Sequence, residues 1–333
     1  MAQSFRTVDI FSRPSLKLTT REWRNHISLF ALTIVSTVIA GLFFASPDVA
    51  PVDPPLSTPL DYLRYIPLVY INSLLALFKH AFTHPTLFVE GLTFSTSLLA
   101  ILFSHEMGHY LACRYYGVEA TLPFFIPAPP LFFPGTFGAF IKIKSPIPTR
   151  RALFDIGLAG PLAGFVVALP IAIVGLLTMG KPLPPLQEGA MYFNDPLLFR
   201  GLAKIAGVHL DPNSPPNPYY MAAWVGLLVT SLNLMPVGQL DGGHGILAVF
   251  GPRVHRFVGR IAFVTVGIVA VLGFWLHNSP SGFIYTILLG VMLRVPHPVP
   301  PVMEPLGQKR ILIAILTLLT FILCYWPFPI TIT

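Results

Sequence analysis

Residues 89–116 read VEGLTFSTSLLAILFSHEMGHYLACRYY, and this mostly apolar run carries His105, Glu106 and His109. A helix needs roughly 20 predominantly apolar residues to cross a bilayer, and the run meets that length. On a helix, positions i and i+4 share a face, so His105 and His109 can grip one metal ion together. Glu106 lies beside them, placed to take a proton from a water molecule at that ion. Ionisable groups are costly in hydrocarbon and are rarely kept there without a use. The stretch points to a hydrolytic metal site built where water is scarce.

Composition extends that reading to the whole chain. Of 333 residues, 54% are apolar and 11% are charged, with 27 Phe and a mean hydropathy of +0.70. An ordinary soluble domain carries about 25% charged residues, so the expected class is an all-α polytopic membrane protein. Cys113 and Cys324 both lie in apolar segments and give no disulfide framework. The net charge of +7 does not call for nucleic acid, because the basic residues gather between the apolar segments.

Six to seven transmembrane helices are expected. They fall at about 28–46, 89–116, 152–178, 220–250, 259–277 and 281–294, with 310–326 as a seventh. The segment 281–294 is short, so it and 259–277 read as a tilted or partly re-entrant hairpin. The run 66–82 holds Asn72, Lys79 and His80 and reads as an interfacial or packed helix. The expected organisation is a cytoplasmic tail at 1–27, a first span and interfacial helix at 28–88, a catalytic core at 89–250, and C-terminal transmembrane helices at 251–333. The loop 179–219 is short for an inserted domain.

Placing the N-terminus in the cytoplasm and alternating the spans puts sixteen Lys and Arg inside and five outside. That bias supports this orientation and the parity of the spans. The tail holds five basic and two acidic residues, a balance that also fits an organelle transit peptide. An uncleaved anchor is the preferred reading of the first span.

Catalytic zinc takes three protein ligands and leaves one position for water, so two histidines are not enough. Asp155, Asp241 and His244 are the remaining candidates at membrane depth. Asp241 fits best, because it and His109 lie at similar depth toward the same ends of their spans. Pro236, Gly238, Gly242 and Gly243 loosen the helix around it. Asp155 reads instead as a helix N-terminal residue favoured by the macrodipole. His244 reads as a supporting group, because a fourth protein ligand would close the site. Gly160 and Gly164 read as helix packing. Arg114, Tyr115 and Tyr116 read as interface anchors.

These motifs resemble those of the site-2 proteases, a family of intramembrane zinc metalloproteases. His105 to His109 match its His-Glu-x-x-His motif. Asn233, Pro236, Leu240, Asp241 and Gly242 match its second motif, Asn-x-x-Pro-x-x-x-Leu-Asp-Gly. The resemblance covers about residues 89–250. It implies that His105, His109 and Asp241 hold one Zn2+, that Glu106 is the general base, and that Asn233 stabilises the oxyanion. It further implies single-span or other membrane-protein substrates within a lipid bilayer. The spacing leaves no room for the PDZ or CBS domains of other members, as in the compact branch that includes plastid and cyanobacterial proteins. The expected location is the inner cell membrane with a cytoplasmic N-terminus, or alternatively a plastid membrane.

Residues 135–143, GTFGAFIKI, end in alternating apolar and basic side chains, a strand signal. In the family the matching glycine-rich segment forms a membrane-dipping sheet edge. Gly135, Phe137, Gly138 and Phe140 are therefore the expected substrate-binding residues, pairing with an unwound substrate strand. A plain hairpin without a substrate role is the alternative. Two other classes compete. A metal or proton transporter would stage its acidic and imidazole groups along a path, but here they concentrate at one level. A zinc-binding scaffold would not need Glu106. A branch with glutamate as third ligand is set aside, since Glu119, Glu188 and Glu304 all lie outside the spans.

Overall fold

The computed structural model describes residues 19–46, 58–180, 191–211 and 213–332. The expected cytoplasmic tail falls mostly outside them. Helix α1, Thr20–Phe44, begins ahead of the expected span because Thr19 and Glu22 form a capping box. The Glu22 carboxylate accepts the Thr19 N–H at 2.8 Å, and the Thr19 hydroxyl accepts the Glu22 N–H at 3.2 Å. Helix α2, Pro59–Thr83, is longer than the expected 66–82 segment, and Thr58 and Asp61 cap it in the same way. Its buried Leu77 and Ala81 pack with Ile39 and Leu42 of α1.

Helix α3, Thr86–Tyr116, carries the histidine pair and ends at Gly117, whose φ of 67° suits glycine. Strands β1, Phe124–Pro127, and β2, Thr136–Phe140, then form an antiparallel hairpin, with Phe124 opposite Phe140 and Phe125 opposite Ala139. Further bonds lengthen the ladder to Glu119 and Lys144. Helix α4, Arg150–Leu177, starts at Thr149, whose hydroxyl accepts the Ala152 N–H at 3.1 Å.

The expected continuous span 220–250 is broken. Helix α6, Pro218–Asn233, stops, and α7, Asp241–His277, starts after an irregular turn. Pro236 removes a backbone donor, and Gly238 sits at φ 53°. A Cβ at Gly238 would lie 2.3 Å from the Met292 carbonyl. Inside α7 the helical dihedrals fail at Gly251, with φ 83° and Pro252 following. Arg150 gathers the carbonyls of Ala248 and Val249 next to that break.

Helix α5, Leu197–Ala206, is a short amphipathic segment that buries Leu198, Phe199 and Ala203. Strands β3, Met191–Phe193, and β4, Ile330–Ile332, pair antiparallel. Helices α8, Ser281–Met292, and α9, Gln308–Cys324, complete the described chain. Among the described residues, α1, α3, α4 and α7 are long and apolar enough to cross a membrane. Helix α6, with 16 residues, is shorter, yet it buries Tyr220 through Leu227 without interruption. A helix apolar on every side belongs inside a bundle, and α6 packs against α3 and α4 as its centre.

Candidate metal centre

The centre sits where α3 and α4 touch most closely. At Gly108 a Cβ would lie 2.4 Å from the Ala159 carbonyl, so the two backbones meet directly. At Gly160 a Cβ would lie 2.1 Å from His109 Nε2, and at Gly164 3.2 Å from His105 Cβ. The expected small-residue packing is therefore real, but its partners are the two imidazoles. The spacing of Gly160 and Gly164 was the signal; it could not say which side chains filled the space.

His105, Glu106 and His109 are 3%, 6% and 8% exposed. Asp241 reaches them as the first residue of α7, delivered by the break after Asn233. An acidic residue there faces the positive end of its helix. Asp241 Oδ2 stands 3.3 Å from His105 Nε2 and 3.4 Å from His109 Nε2, and the two Nε2 atoms are 3.2 Å apart. A tetrahedral ion with bonds of about 2.0–2.1 Å spaces its ligands about 3.3–3.4 Å apart. The three donors thus fit the edges of one zinc polyhedron. Among the described residues this is the group whose three ligand atoms lie within 4.8 Å of one another.

The tautomer also fits. His109 Nδ1 donates to the Ile156 carbonyl at 2.6 Å, which leaves Nε2 as a lone pair aimed at the other donors. Two neutral imidazoles and a carboxylate are a donor set that suits zinc. Glu106 Oε1 lies 3.9 Å from His105 Nε2. Asn233 Nδ2 lies 3.2 Å from the same nitrogen. All five residues expected from the two motifs are therefore neighbours.

The hairpin residues are divided. Gly135 packs against α1, where a Cβ would lie 2.5 Å from the Ser36 carbonyl. Phe137 and Phe140 are exposed, and around Gly138 a Cβ would meet nothing within 4 Å. The Ile141 backbone lies beside the Glu106 carboxyl, so the strand runs up to the metal centre. Strand alternation puts the backbone groups of Ala139 on that same edge.

Asp155 corrects the expectation. It lies one turn into α4, whose N-terminus Thr149 caps, and Arg310 of α9 binds it through two bonds of 2.9 and 2.6 Å. The Tyr116 hydroxyl also donates to Asp155, so Tyr116 is a tie between helices rather than a membrane anchor. This cluster fastens α3, α4 and α9 one residue before the Ile156 carbonyl that orients His109. His244 Nδ1 donates to the Leu240 carbonyl at 3.0 Å, and His244 is not part of the converging group.

A bundle of helices long and apolar enough to cross a membrane thus carries a buried group of donors suited to one metal ion. Residues 93–274 match the family model described as Peptidase family M50, and the chain belongs to that family. It is 28% identical over 278 residues to "Probable zinc metalloprotease EGY2, chloroplastic" of Arabidopsis thaliana, covering 82% of this chain and 47% of that protein. The EGY2 protein of Oryza sativa subsp. indica is 30% identical over 279 residues, covering 80% and 47%. "Probable zinc metalloprotease EGY1, chloroplastic" of Arabidopsis thaliana is 36% identical over 194 residues, covering 56% and 34%. The chain spans about half the length of the first of these curated relatives. No solved structure matches it.

Proposed function

We propose that this protein cleaves peptide bonds within or near transmembrane segments of other membrane proteins, with His105, His109 and Asp241 as the zinc ligands. The observation that carries the reading is the convergence of those three donors beside Glu106, on a helix apolar enough to span a bilayer. Bound zinc supplies Lewis acidity, which polarises a carbonyl and acidifies water. Glu106 accepts the proton of the attacking water and returns it to the leaving amine. The Asn233 amide donates to the oxyanion that develops on the substrate carbonyl.

A peptide bond inside a helix is shielded, because its carbonyl is already bonded within that helix. The substrate must therefore be held extended. The edge of β2 carrying Ala139 and Ile141 supports this, since an added strand there would pass Glu106. Phe137 and Phe140 would line its approach. The chloroplastic names of the relatives support a plastid membrane; they lend no support to an inner cell membrane with a cytoplasmic N-terminus.

Glu106→Gln tests the reading. Cleavage of a single-span substrate in detergent should fall about 10²–10⁴-fold while zinc content is kept. Undiminished cleavage by this variant would overturn the mechanism.

A further inference from the structure

Three imidazoles outside the metal centre gather where the break before Asp241 meets the segment between α8 and α9. His244 and His255 belong to α7, and His297 to that segment. The His297 ring centroid lies 4.5 Å from that of His244 and 5.2 Å from that of His255. Each ring commits one nitrogen to a backbone carbonyl. His244 Nδ1 donates to Leu240 at 3.0 Å, His255 Nε2 to Gly238 at 3.1 Å, and His297 Nδ1 to Pro298 at 2.9 Å. A carbonyl can only accept, so each of those nitrogens carries its ring's proton. The opposite nitrogens are lone pairs. His297 Nε2 is fully buried with no hydrogen-bond partner among the described residues.

A histidine whose far nitrogen donates to a backbone carbonyl is oriented as metal-ligating histidines are. Three of them in contact, with one acceptor nitrogen buried and unpaired, form an arrangement that a cation relieves. A proton does not serve at neutral pH, because burial and the neighbouring imidazoles push the His297 pKa down to about 4. We propose that His244, His255 and His297 form a second binding site for a first-row divalent cation of the zinc type, separate from the catalytic ion. Gly238 and Leu240 belong to the break that delivers Asp241, so an ion here ties that break to the segment after α8.

Among the described residues only the three donors of the metal centre have ligand atoms within 4.8 Å of one another, so the free nitrogens of these three rings do not yet share one point. Binding requires the side chains to reorient. The second ion is therefore held more weakly than the first, whose ligand atoms already converge.

The test is zinc stoichiometry of the full chain in detergent, stripped of metal and then titrated with Zn2+. The wild type should take up two ions per chain, the second more weakly. His297→Leu should take up one, and His105→Ala/His109→Ala should also take up one. Adding His297→Leu to that double variant should leave none. Cobalt substitution of the double variant should give the absorption bands of an imidazole site. A wild type saturating at one ion overturns the proposal, as does a folded double variant that binds none. If the double variant does not fold, an unchanged count of two in His297→Leu overturns it alone. The catalytic reading survives any of these outcomes, because its ion is counted by the His105 and His109 arm.

Discussion

Around His109 the neighbours are backbone and ring: the Gly160 main chain on one side, the Ile156 carbonyl on another, and Asp241 Oδ2 at 3.4 Å. Around Phe137 the neighbours thin out, and the side chain is 58% exposed. These two regions meet at Glu106, which sits beside the donors and beside the Ile141 backbone. The metal centre is fixed by helices packed so closely that a methyl group cannot enter. The hairpin is tied along β1 and α1, and among the described residues no strand pairs with the other edge of β2. Ligands need positions set to a fraction of an ångström before the ion arrives. A strand that receives another chain needs backbone left unpaired. Under the proposed function, the difference separates a part suited to chemistry from one suited to contact.

Gly160→Ala strikes the packed side hardest. Its methyl would occupy the place of His109 Nε2, and the catalytic ion should be lost, with cleavage falling more than about 100-fold. Metal content and cleavage assays check this; a variant that keeps both would show that the packing is slack and dissolve the contrast. Ala139→Pro removes an edge donor from the hairpin. It should lower kcat/KM about 10–100-fold with catalytic zinc unchanged, a combination that would sharpen the contrast. Arg310→Leu leaves Asp155 without its cation and should cost about 1–2 kcal/mol, the pair being partly exposed. A lower thermal midpoint in detergent reports it. Gly138→Ala has the smallest expected effect. Space is free, but φ is 99°, so about 1 kcal/mol of strain is expected and cleavage should stay within about threefold.

The meeting of His105, His109 and Asp241 was legible because such groups are rare in apolar sequence. Two histidines one turn apart and an aspartate near glycines stand out in apolar sequence. The helices α3 and α4 were legible from their apolar runs, and the hairpin from its alternation. The break between α6 and α7 was underestimated, since Pro236 and Gly238 read as a softened helix rather than a full stop. Hydropathy averages over a window and cannot see where helical dihedrals end. The Asp155–Arg310 pair was invisible because its partners lie 155 positions apart, and only the packing of α9 brings them together. For the same reason the rings facing Gly160 and Gly164 could not be read from the glycines themselves.

Under the proposed function, the edge of β2 that no described strand pairs has a consequence for choice. Strand addition engages main-chain groups, which all residues share, so side-chain identity gives such an enzyme little to read. Its discrimination would rest on which bilayer helices come apart readily, and a helix-breaking residue near the scissile bond would matter more than any consensus around it.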